Sequence, residues 1–258
     1  MSLALAGRRA LVTGGGSGIG RGIATVLARQ GAAVAVLGRR RSQLDAVVKE
    51  LKGAGAHAHA VIADVTDRKA VDAAVDAARE ALGGLDVLVN NAGIGGPNAC
   101  ALPGPERWDT VMRTNVDGVF HCTRAALRHV PDGGRIVSIS SVLGRFGVPG
   151  YTAYCASKHA VIGFTKALAL ELAPRRITVN AICPGWVETD MARVGMEGIA
   201  TQMGTTYEAA RRTALAQVPL GRILQPEEIG ELVAFLCSNG AAGMTGQAIS
   251  QCGGQVMW

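Results

Sequence analysis

The stretch Arg9–Gly20, RALVTGGGSGIG, decides the fold. Its apolar start, Arg9–Val12, predicts a buried strand, and a helix is predicted from about residue 18 to 30. Between them, Thr13–Gly20 spaces three glycines as G-x-x-x-G-x-G. Glycines at such a turn let backbone N–H groups approach a pyrophosphate and place it at the positive end of the helix. Turns in general also need glycine, so this interpretation depends on the rest of the chain.

Outward from this stretch, short β-branched runs alternate with longer alanine-rich stretches, which is typical of βαβ units on a parallel sheet. The predicted strands are Arg9–Val12, Ala33–Leu37, His57–Ile62, Val87–Asn90, Arg135–Ser140, Thr178–Cys183 and Gln247–Ser250. The predicted helices span about 18–30, 42–53, 67–82, 106–129, 152–173 and 226–238. Together they predict a single-domain α/β fold over residues 1–258, a Rossmann-type doubly wound parallel sheet with helices on both faces. The one long interruption, about 186–218, is interpreted as a mobile lid over a substrate.

Composition narrows the class of function. The net charge is +6, but the basic residues are dispersed and only 4% of the chain is aromatic, so stacking platforms for nucleic acid are missing. No apolar run approaches the roughly 20 residues of a membrane span, and the cytoplasm is the predicted location. The 6 cysteines are scattered without a C-x-x-C pair, which predicts reduced thiols and neither a disulfide framework nor a metal site. A phosphate-bearing small ligand or an acidic carrier explains the positive charge better than nucleic acid does.

The end of the second predicted strand indicates which dinucleotide binds. Enzymes that use NAD place an Asp or Glu there, about 20 residues past the turn, to bond the ribose 2′-hydroxyl. Here Gly38 occupies that place, and Arg39, Arg40 and Arg41 follow it. A guanidinium binds a 2′-phosphate in a charge-assisted fork, so the sequence predicts NADP(H), with Arg39 on the phosphate. Arg41 is instead assigned to the solvated start of the next helix.

Four polar residues predict proton transfer to a carbonyl oxygen. Tyr154 and Lys158 lie four apart on a predicted helix and share a face, and an ammonium lowers the pKa of a neighbouring phenol. Ser141 ends the fifth strand, where its hydroxyl can hold a substrate carbonyl oxygen, and Asn115 can carry a water that connects Lys158 to solvent. A Tyr-x-x-x-Lys pair alone is common and can be an exposed helical pair. Four such features in this order are rarely accidental.

These residues together make the chain resemble the short-chain dehydrogenases/reductases over essentially its whole length. The motifs that carry the resemblance are Thr13–Gly20, Asp64-Val65, Asn90–Gly93, Asn115, Ser141, Tyr154–Lys158 and Pro184-Gly185. The resemblance implies a catalytic set made of Asn115, Ser141, Tyr154 and Lys158. With Arg39 added, the expected cofactor contacts are Gly14, Ser17, Gly18, Ile19, Gly20, Arg39, Asp64, Val65, Asn91, Ala92, Gly93, Tyr154, Lys158, Pro184, Gly185, Val187 and Thr189.

The resemblance also implies individual roles and an assembly. Asp64 and Val65 would contact adenine, and Asn91–Gly93 would line the cofactor channel. Lys158 would bond the nicotinamide ribose, while Pro184–Thr189 would hold the carboxamide. Members of the family are usually homotetramers, paired through the helices that here begin near residues 106 and 152.

Within that family the chain is similar to 3-oxoacyl-carrier reductases and, more closely, to the ketoreductases of aromatic polyketide synthesis. Tyr154–Leu172 and Cys183–Met191 carry this similarity, together with Cys252. The polyketide enzymes have Pro-Gly-Gly after the N-N-A-G motif, whereas this chain has Gly-Gly-Pro at 95–97. Of the two arginines with which the fatty-acid reductases dock an acidic carrier, Arg175 matches and the other position is Asp132.

The direction of the chemistry remains open at this point. One alternative is NADPH-dependent reduction of a 3-oxoacyl or polyketide-type ketone, free or as a thioester, with Tyr154 as proton donor. The other is NAD(P)-dependent oxidation of an alcohol or a 3-hydroxyacyl-CoA, which the strand-two arginines oppose because NADPH pools favour reduction. A third alternative, a binding protein that kept the fold and lost the chemistry, conflicts with an intact Asn-Ser-Tyr-Lys set.

Overall fold

The strands form one parallel sheet in a computed structural model that describes residues 3–98, 100–101 and 104–258. They are β1 (Arg9–Thr13), β2 (Ala33–Gly38), β3 (Ala58–Ile62), β4 (Val87–Asn90), β5 (Arg135–Ile139), β6 (Thr178–Pro184) and β7 (Ala248–Gln251). Their spatial order is β3-β2-β1-β4-β5-β6-β7, so the order along the sheet reverses between β1 and β4. The predicted doubly wound Rossmann-type fold is confirmed. In such sheets a ligand binds beyond the carboxyl ends of the strands, at this reversal.

Helices cover both faces of the sheet. The described helices are α1 (Gly18–Arg29), α2 (Arg41–Gly53), α3 (Arg68–Leu82), α4 (Trp108–Met112), α5 (Gly118–Ala126), α6 (Thr152–Leu172), α7 (Asp190–Met203), α8 (Tyr207–Ala216) and α9 (Pro226–Cys237). Strand β1 shows how the two layers arise, because successive side chains of a strand point to opposite faces. Ala10 and Val12 pack in one core with α1, α2 and α9, and Leu11 packs in the other with α3, α5 and α6.

The fourth crossover differs from its prediction as one helix over 106–129. A π-helical turn, Arg113–Asp117, separates α4 from α5. Gly118, which follows this turn, packs against the segment after β3. A Cβ on Gly118 would lie 2.7 Å from Cγ2 of Val65. Such π-helical turns inside α-helices occur often at functional sites, and this one contains Asn115.

No helix was predicted within the segment 186–218, but the structure contains two helices there, α7 and α8. Threonine side chains cap both helices, with Thr189 accepting from the N–H of Ala192 and Thr206 from the N–H of Ala209. A small core of its own holds the pair together, formed by Met196, Ala214, Ile223, Trp186, Tyr207 and Leu215. The role of this segment as a lid stays a prediction.

Across the described ranges, no helix combines the length and apolar character that crossing a bilayer requires.

Candidate active site

The carboxyl ends of β1, β2, β4 and β5 open onto a cleft of about 270 Å³. Most of the residues predicted to hold a cofactor line it: Gly14, Ser17, Gly18, Ile19, Gly20, Arg39, Asp64, Val65, Asn91, Ala92, Gly93, Tyr154, Lys158 and Thr189. The topology therefore brings together residues that are up to 175 positions apart, from Gly14 to Thr189. Within the described part of the chain, no group of His, Cys, Asp and Glu side chains is arranged to hold a metal ion.

The glycine turn after β1 places the start of α1 at the cleft. Gly14 has φ +64°, a left-handed conformation that favours glycine, and a Cβ there would lie 2.9 Å from Cα of Ala92. A Cβ on Gly20 would collide with the carbonyl of Gly14, so the helix packs directly against the turn. Ser17 is the N-cap of α1, but its side chain accepts no hydrogen bond from the helix. The first N–H groups of α1 are therefore free to bind an anion.

Asn91 ties the end of β4 to this turn. Its Nδ2 donates to the carbonyl of Thr13 at 2.9 Å, and its backbone N–H donates to Oγ1 of Thr13 at 3.0 Å. The N–H of Ala92 donates to the same hydroxyl oxygen at 3.0 Å. Asn91 thus fixes the shape of the glycine turn, a role that the sequence motif alone did not reveal.

Charged side chains flank the part of the cleft beyond β2. Nη1 of Arg39 lies 3.6 Å from Oδ2 of Asp64, and the Arg39 side chain is 70% exposed. Burial raises the pKa of Asp64, but hydrogen bonds from Thr66 and the charge of Arg39 outweigh it and lower that pKa overall. Arg40 also lines the cleft, whereas Arg41 pairs with Asp45 on its own helix. Arg39 and Arg40 therefore lie at the cleft and Arg41 does not, while the binding of a 2′-phosphate by Arg39 stays a prediction.

Three predicted cofactor residues, Pro184, Gly185 and Val187, do not line the cleft. A Cβ on Gly185 would lie 2.9 Å from Cβ of Cys252, and Val187 is buried and pairs with Leu224. They belong to the chain segment that leads from β6 to Thr189. A Cβ added to Gly18 would lie 3.2 Å from Cγ2 of Thr189, so this segment reaches the glycine turn across the cleft.

The proposed catalytic side chains lie where α6 meets the end of β5. Nζ of Lys158 lies 5.6 Å from the ring centroid of Tyr154, one helical turn away. The same Nζ donates to the carbonyl of Ile139, the last residue of β5, at 2.9 Å. Ser141 follows two residues later, and its Oγ accepts from the N–H of Leu143 at 3.1 Å. Lys158 is buried, and so is Ser141.

Burial sets the protonation of the tyrosine and the lysine. It raises the pKa of Tyr154 to about 12, against a smaller lowering by a hydrogen bond with Ser141. Burial also lowers the pKa of Lys158 to about 8. The expectation that the ammonium of Lys158 lowers the pKa of this phenol is not met, because loss of solvent raises that pKa. The raised pKa keeps the phenol of Tyr154 protonated at neutral pH.

Asn115 connects the loop after β4 to α6. Its Oδ1 accepts from the N–H of Ile94 at 2.8 Å, and its Nδ2 donates to the carbonyl of Ile94 at 2.9 Å. The second Nδ2 hydrogen donates to Oγ of Ser157 at 3.0 Å. Ser157 in turn donates to the carbonyl of Tyr154 at 2.8 Å. This clamp beside Tyr154 was not predicted, because spacing in sequence does not show which side chains meet.

Comparison with known proteins places this chain in a family. The model of the short chain dehydrogenases matches residues 8–198. A protein of Streptomyces virginiae, named as a ketoacyl reductase of the monensin polyketide synthase, is 46% identical over 96% of both chains. The 3-oxoacyl-[acyl-carrier-protein] reductase FabG of Thermotoga maritima is 39% identical over 98% of this chain and 99% of its own.

Solved structures agree with these relatives. An actinorhodin polyketide ketoreductase variant, determined with NADPH, is 44% identical with a TM-score of 0.92 over 100% of both chains. A short chain dehydrogenase of Burkholderia cenocepacia in complex with NADP is 37% identical with a TM-score of 0.87, over 98% of this chain and 99% of that one. The chain thus belongs to the short-chain dehydrogenase/reductase family and is an oxidoreductase that acts on CH–OH and C=O groups.

Proposed function

We propose that this protein is an NADPH-dependent carbonyl reductase that acts on the ketone of a 3-oxoacyl or polyketide-type substrate. The observation that carries the proposal is the geometry at the edge of the cleft, where Tyr154 and Lys158 share one face of α6 beside Ser141, just beyond the end of β5. A protonated phenol there can give its proton to a carbonyl oxygen, as reduction requires, and Arg39 and Arg40 at the cleft favour NADPH, whose cellular pool favours reduction. The similarity to ketoacyl reductases supports the same substrate class.

The residues of the cleft fit a nicotinamide dinucleotide with a 2′-phosphate. The uncapped start of α1 suits the pyrophosphate, and Gly14 and Gly18 keep side chains out of that approach. Arg39, with Arg40 beside it, suits the 2′-phosphate, and Asp64 and Val65 lie where the adenine would bind. When bound, this cofactor supplies the hydride that the carbonyl carbon receives.

The protein's own residues supply the proton and orient the substrate. Tyr154 donates its proton to the carbonyl oxygen, so that the hydride on carbon and the proton on oxygen complete an alcohol. Ser141 donates a hydrogen bond to the same oxygen and stabilises the charge that develops there. Lys158, whose ammonium is held by the carbonyl of Ile139, returns a proton to the phenolate. Asn115 acts as a positioning residue, because its hydrogen bonds join the loop after β4, at Ile94, to α6, at Ser157.

Surfaces around the site favour a small-molecule substrate over an acidic carrier protein. Arg175, the remaining carrier-docking arginine, donates from Nε to Oδ1 of Asp132 at 3.0 Å, so its charge is already compensated. Met191 of α7 lines the cleft and is about half exposed, and Val194 on the same helix is also about half exposed. They suit an apolar substrate body, free or as a thioester, with the segment 186–218 as its lid.

The proposal extends to assembly and location. Trp108, Phe120 and Leu170 expose 45%, 50% and 79% of their surface on α4, α5 and α6. Exposed apolar side chains on neighbouring helices indicate a surface that a partner covers. They support a homotetramer paired through these helices. A cytoplasmic location remains the expectation from the sequence.

The test of the proposed function is cofactor oxidation with a panel of 3-oxoacyl thioesters and cyclic ketones. The wild type should oxidise NADPH with at least one ketone. Tyr154→Phe should retain less than roughly a tenth of the turnover, since general acid catalysis contributes about 10²–10⁴-fold, and should bind NADPH as the wild type does. Tyr207→Phe, in the core of the lid segment, is the matched control and should remain active. Turnover by Tyr154→Phe above that level would refute its role as proton donor.

A further inference from the structure

Arg107 closes the loop that leads from β4 to α4. Its backbone N–H donates to Oδ1 of Asn98 at 2.8 Å, and its Nη1 donates to the carbonyl of Gly95 at 2.9 Å. Asn98 is buried and donates through Nδ2 to Oγ1 of Thr152 at 3.1 Å, at the start of α6. The guanidinium is thus held by its hydrogen bond to Gly95, while the backbone of Arg107 is bound to Asn98, which is itself tied to the start of α6.

Glycine at position 96 makes room for this guanidinium. Gly96 has φ +116°, and a Cβ there would collide with Nη1 of Arg107. The next glycine back, Gly95, borders the catalytic side chains, since a Cβ on it would lie 3.6 Å from Cε2 of Tyr154 and 3.2 Å from Sδ of Met191. Arg107 is not itself among the residues that line the cleft, but its Nη1 is bonded to Gly95, which adjoins Tyr154 at the cleft edge.

The charge of Arg107 is not neutralised by the surrounding protein. Its side chain is half-buried, and no carboxylate within the described ranges forms an ion pair with it. Burial raises the pKa of Tyr151, the N-cap of α6, and the positive charge of Arg107 partly counters this, which places the guanidinium near that phenol. A guanidinium carries five N–H donors, so the bond to Gly95 leaves others available.

We propose that Arg107 is a specificity-determining residue that binds an anionic oxygen group of the substrate, a carboxylate or a phosphate, at the mouth of the site. The opposite side of the mouth, at Met191, is apolar, so the preferred ketone has an apolar body and one anionic end. This inference rests on the proposed reductase function. The alternative is that Arg107 has only a structural role and binds the carbonyl of Gly95. Replacing Arg107 would then lower kcat/KM equally for charged and neutral substrates.

The experiment compares two pairs of ketones, each with one charged and one neutral member. Acetoacetate and its methyl ester test a carboxylate, while acetoacetyl-CoA and acetoacetyl-N-acetylcysteamine test the phosphates of a carrier arm. Arg107→Gln should lower kcat/KM about tenfold or more for the charged member of one pair, mainly through KM, and leave its neutral partner within about twofold. Arg107→Lys should recover part of the loss. Arg128→Gln, whose guanidinium pairs with Asp76 of α3, removes the same charge elsewhere and should change neither ratio.

The pair that responds identifies the anion. The proposal is overturned if the wild type reduces the neutral members without preferring a charged one, or if Arg107→Gln weakens both members of each pair equally. In either case the reductase function still stands. Failure of the wild type to reduce any ketone would instead remove the proposed function, and this inference with it.

Discussion

At the scale of single residues, three consecutive arginines after β2 have different surroundings and different expected effects. Arg39 and Arg40 line the cleft, while Arg41 pairs with Asp45 outside it. Hydrogen bonds to charged groups contribute about 1.5–3 kcal/mol, which corresponds to roughly a 10- to 150-fold preference for NADPH over NADH. Arg39→Ala should erase most of that preference, as measured by kcat/KM with both cofactors.

Arg41→Ala is the matched control, since it removes the same positive charge at the first residue of α2. It should leave the ratio of the two cofactors within about twofold, because its loss breaks only an exposed ion pair. A wild type that uses NADH better than NADPH would contradict the assignment of Arg39. Equal use of both cofactors would show that all three arginines point to water.

The residue scale also shows what the sequence could and could not predict. The Tyr-x-x-x-Lys spacing correctly placed Tyr154 and Lys158 on one face of α6, because helical periodicity is local. Their pKa values could not be predicted, since these depend on burial by residues distant in sequence. The clamp of Asn115 on Ile94 is likewise a tertiary contact that no spacing reveals.

At the scale of elements, α1 and α9 approach so closely that only glycine fits between them. A Cβ on Gly230 would lie 2.8 Å from Cγ2 of Val26 and 2.9 Å from the carbonyl oxygen of Gly22. Gly230→Ala should therefore lower the free energy of unfolding by about 1–3 kcal/mol, as overpacking of a core does. Urea denaturation would measure this change.

Gly198→Ala on α7 is the control, because it makes the same glycine-to-alanine change in a helix without a close neighbour. A Cβ at Gly198 meets no other atom within 4 Å, so the substitution gains helix propensity without overpacking. It should raise the free energy of unfolding by up to about 1 kcal/mol. Equal effects of the two substitutions would contradict the close contact between α1 and α9.

The strands and all the predicted helices except 106–129 were predicted to within a residue or two, because buried parallel strands and amphipathic helices leave clear patterns. The two helices of 186–218 were missed, although Thr189 and Thr206 are good N-caps, since a small local core around Met196 gives only a weak apolar period. The π-helical turn at Arg113–Asp117 was missed for another reason. It directly precedes the close approach of Gly118 to Val65, a tertiary contact that helical periodicity does not reveal.

At the scale of the whole molecule, the two-layer core buries a cation that forms no ion pair with a carboxylate of the described residues. Lys158 is 6% exposed, and within the described chain its Nζ is stabilised by the carbonyl of Ile139 and no ion pair. Such a charge costs stability, and proteins retain that cost where function requires it. The cost depends on pH, because it disappears once the ammonium loses its proton.

The sign of this dependence follows from the lowered pKa of Lys158, about 8 in the folded chain against 10.5 as its ordinary value. Between these two pH values the unfolded chain holds a proton that the folded chain has released, so stability rises with pH. Relative to Lys158→Met, the wild type should gain about 3 kcal/mol at most in unfolding free energy from pH 7 to pH 10.5. Urea denaturation of both proteins without cofactor measures this. The variant lacks the hydrogen bond to the carbonyl of Ile139 at every pH, so this loss adds a constant to the difference in unfolding free energy. The other titrating groups are present in both proteins, so their pH dependence cancels in that difference. If the difference in unfolding free energy between the two proteins does not change with pH, Lys158 is not buried as a charge. The same conclusion follows if the wild type loses stability relative to the variant as the pH rises.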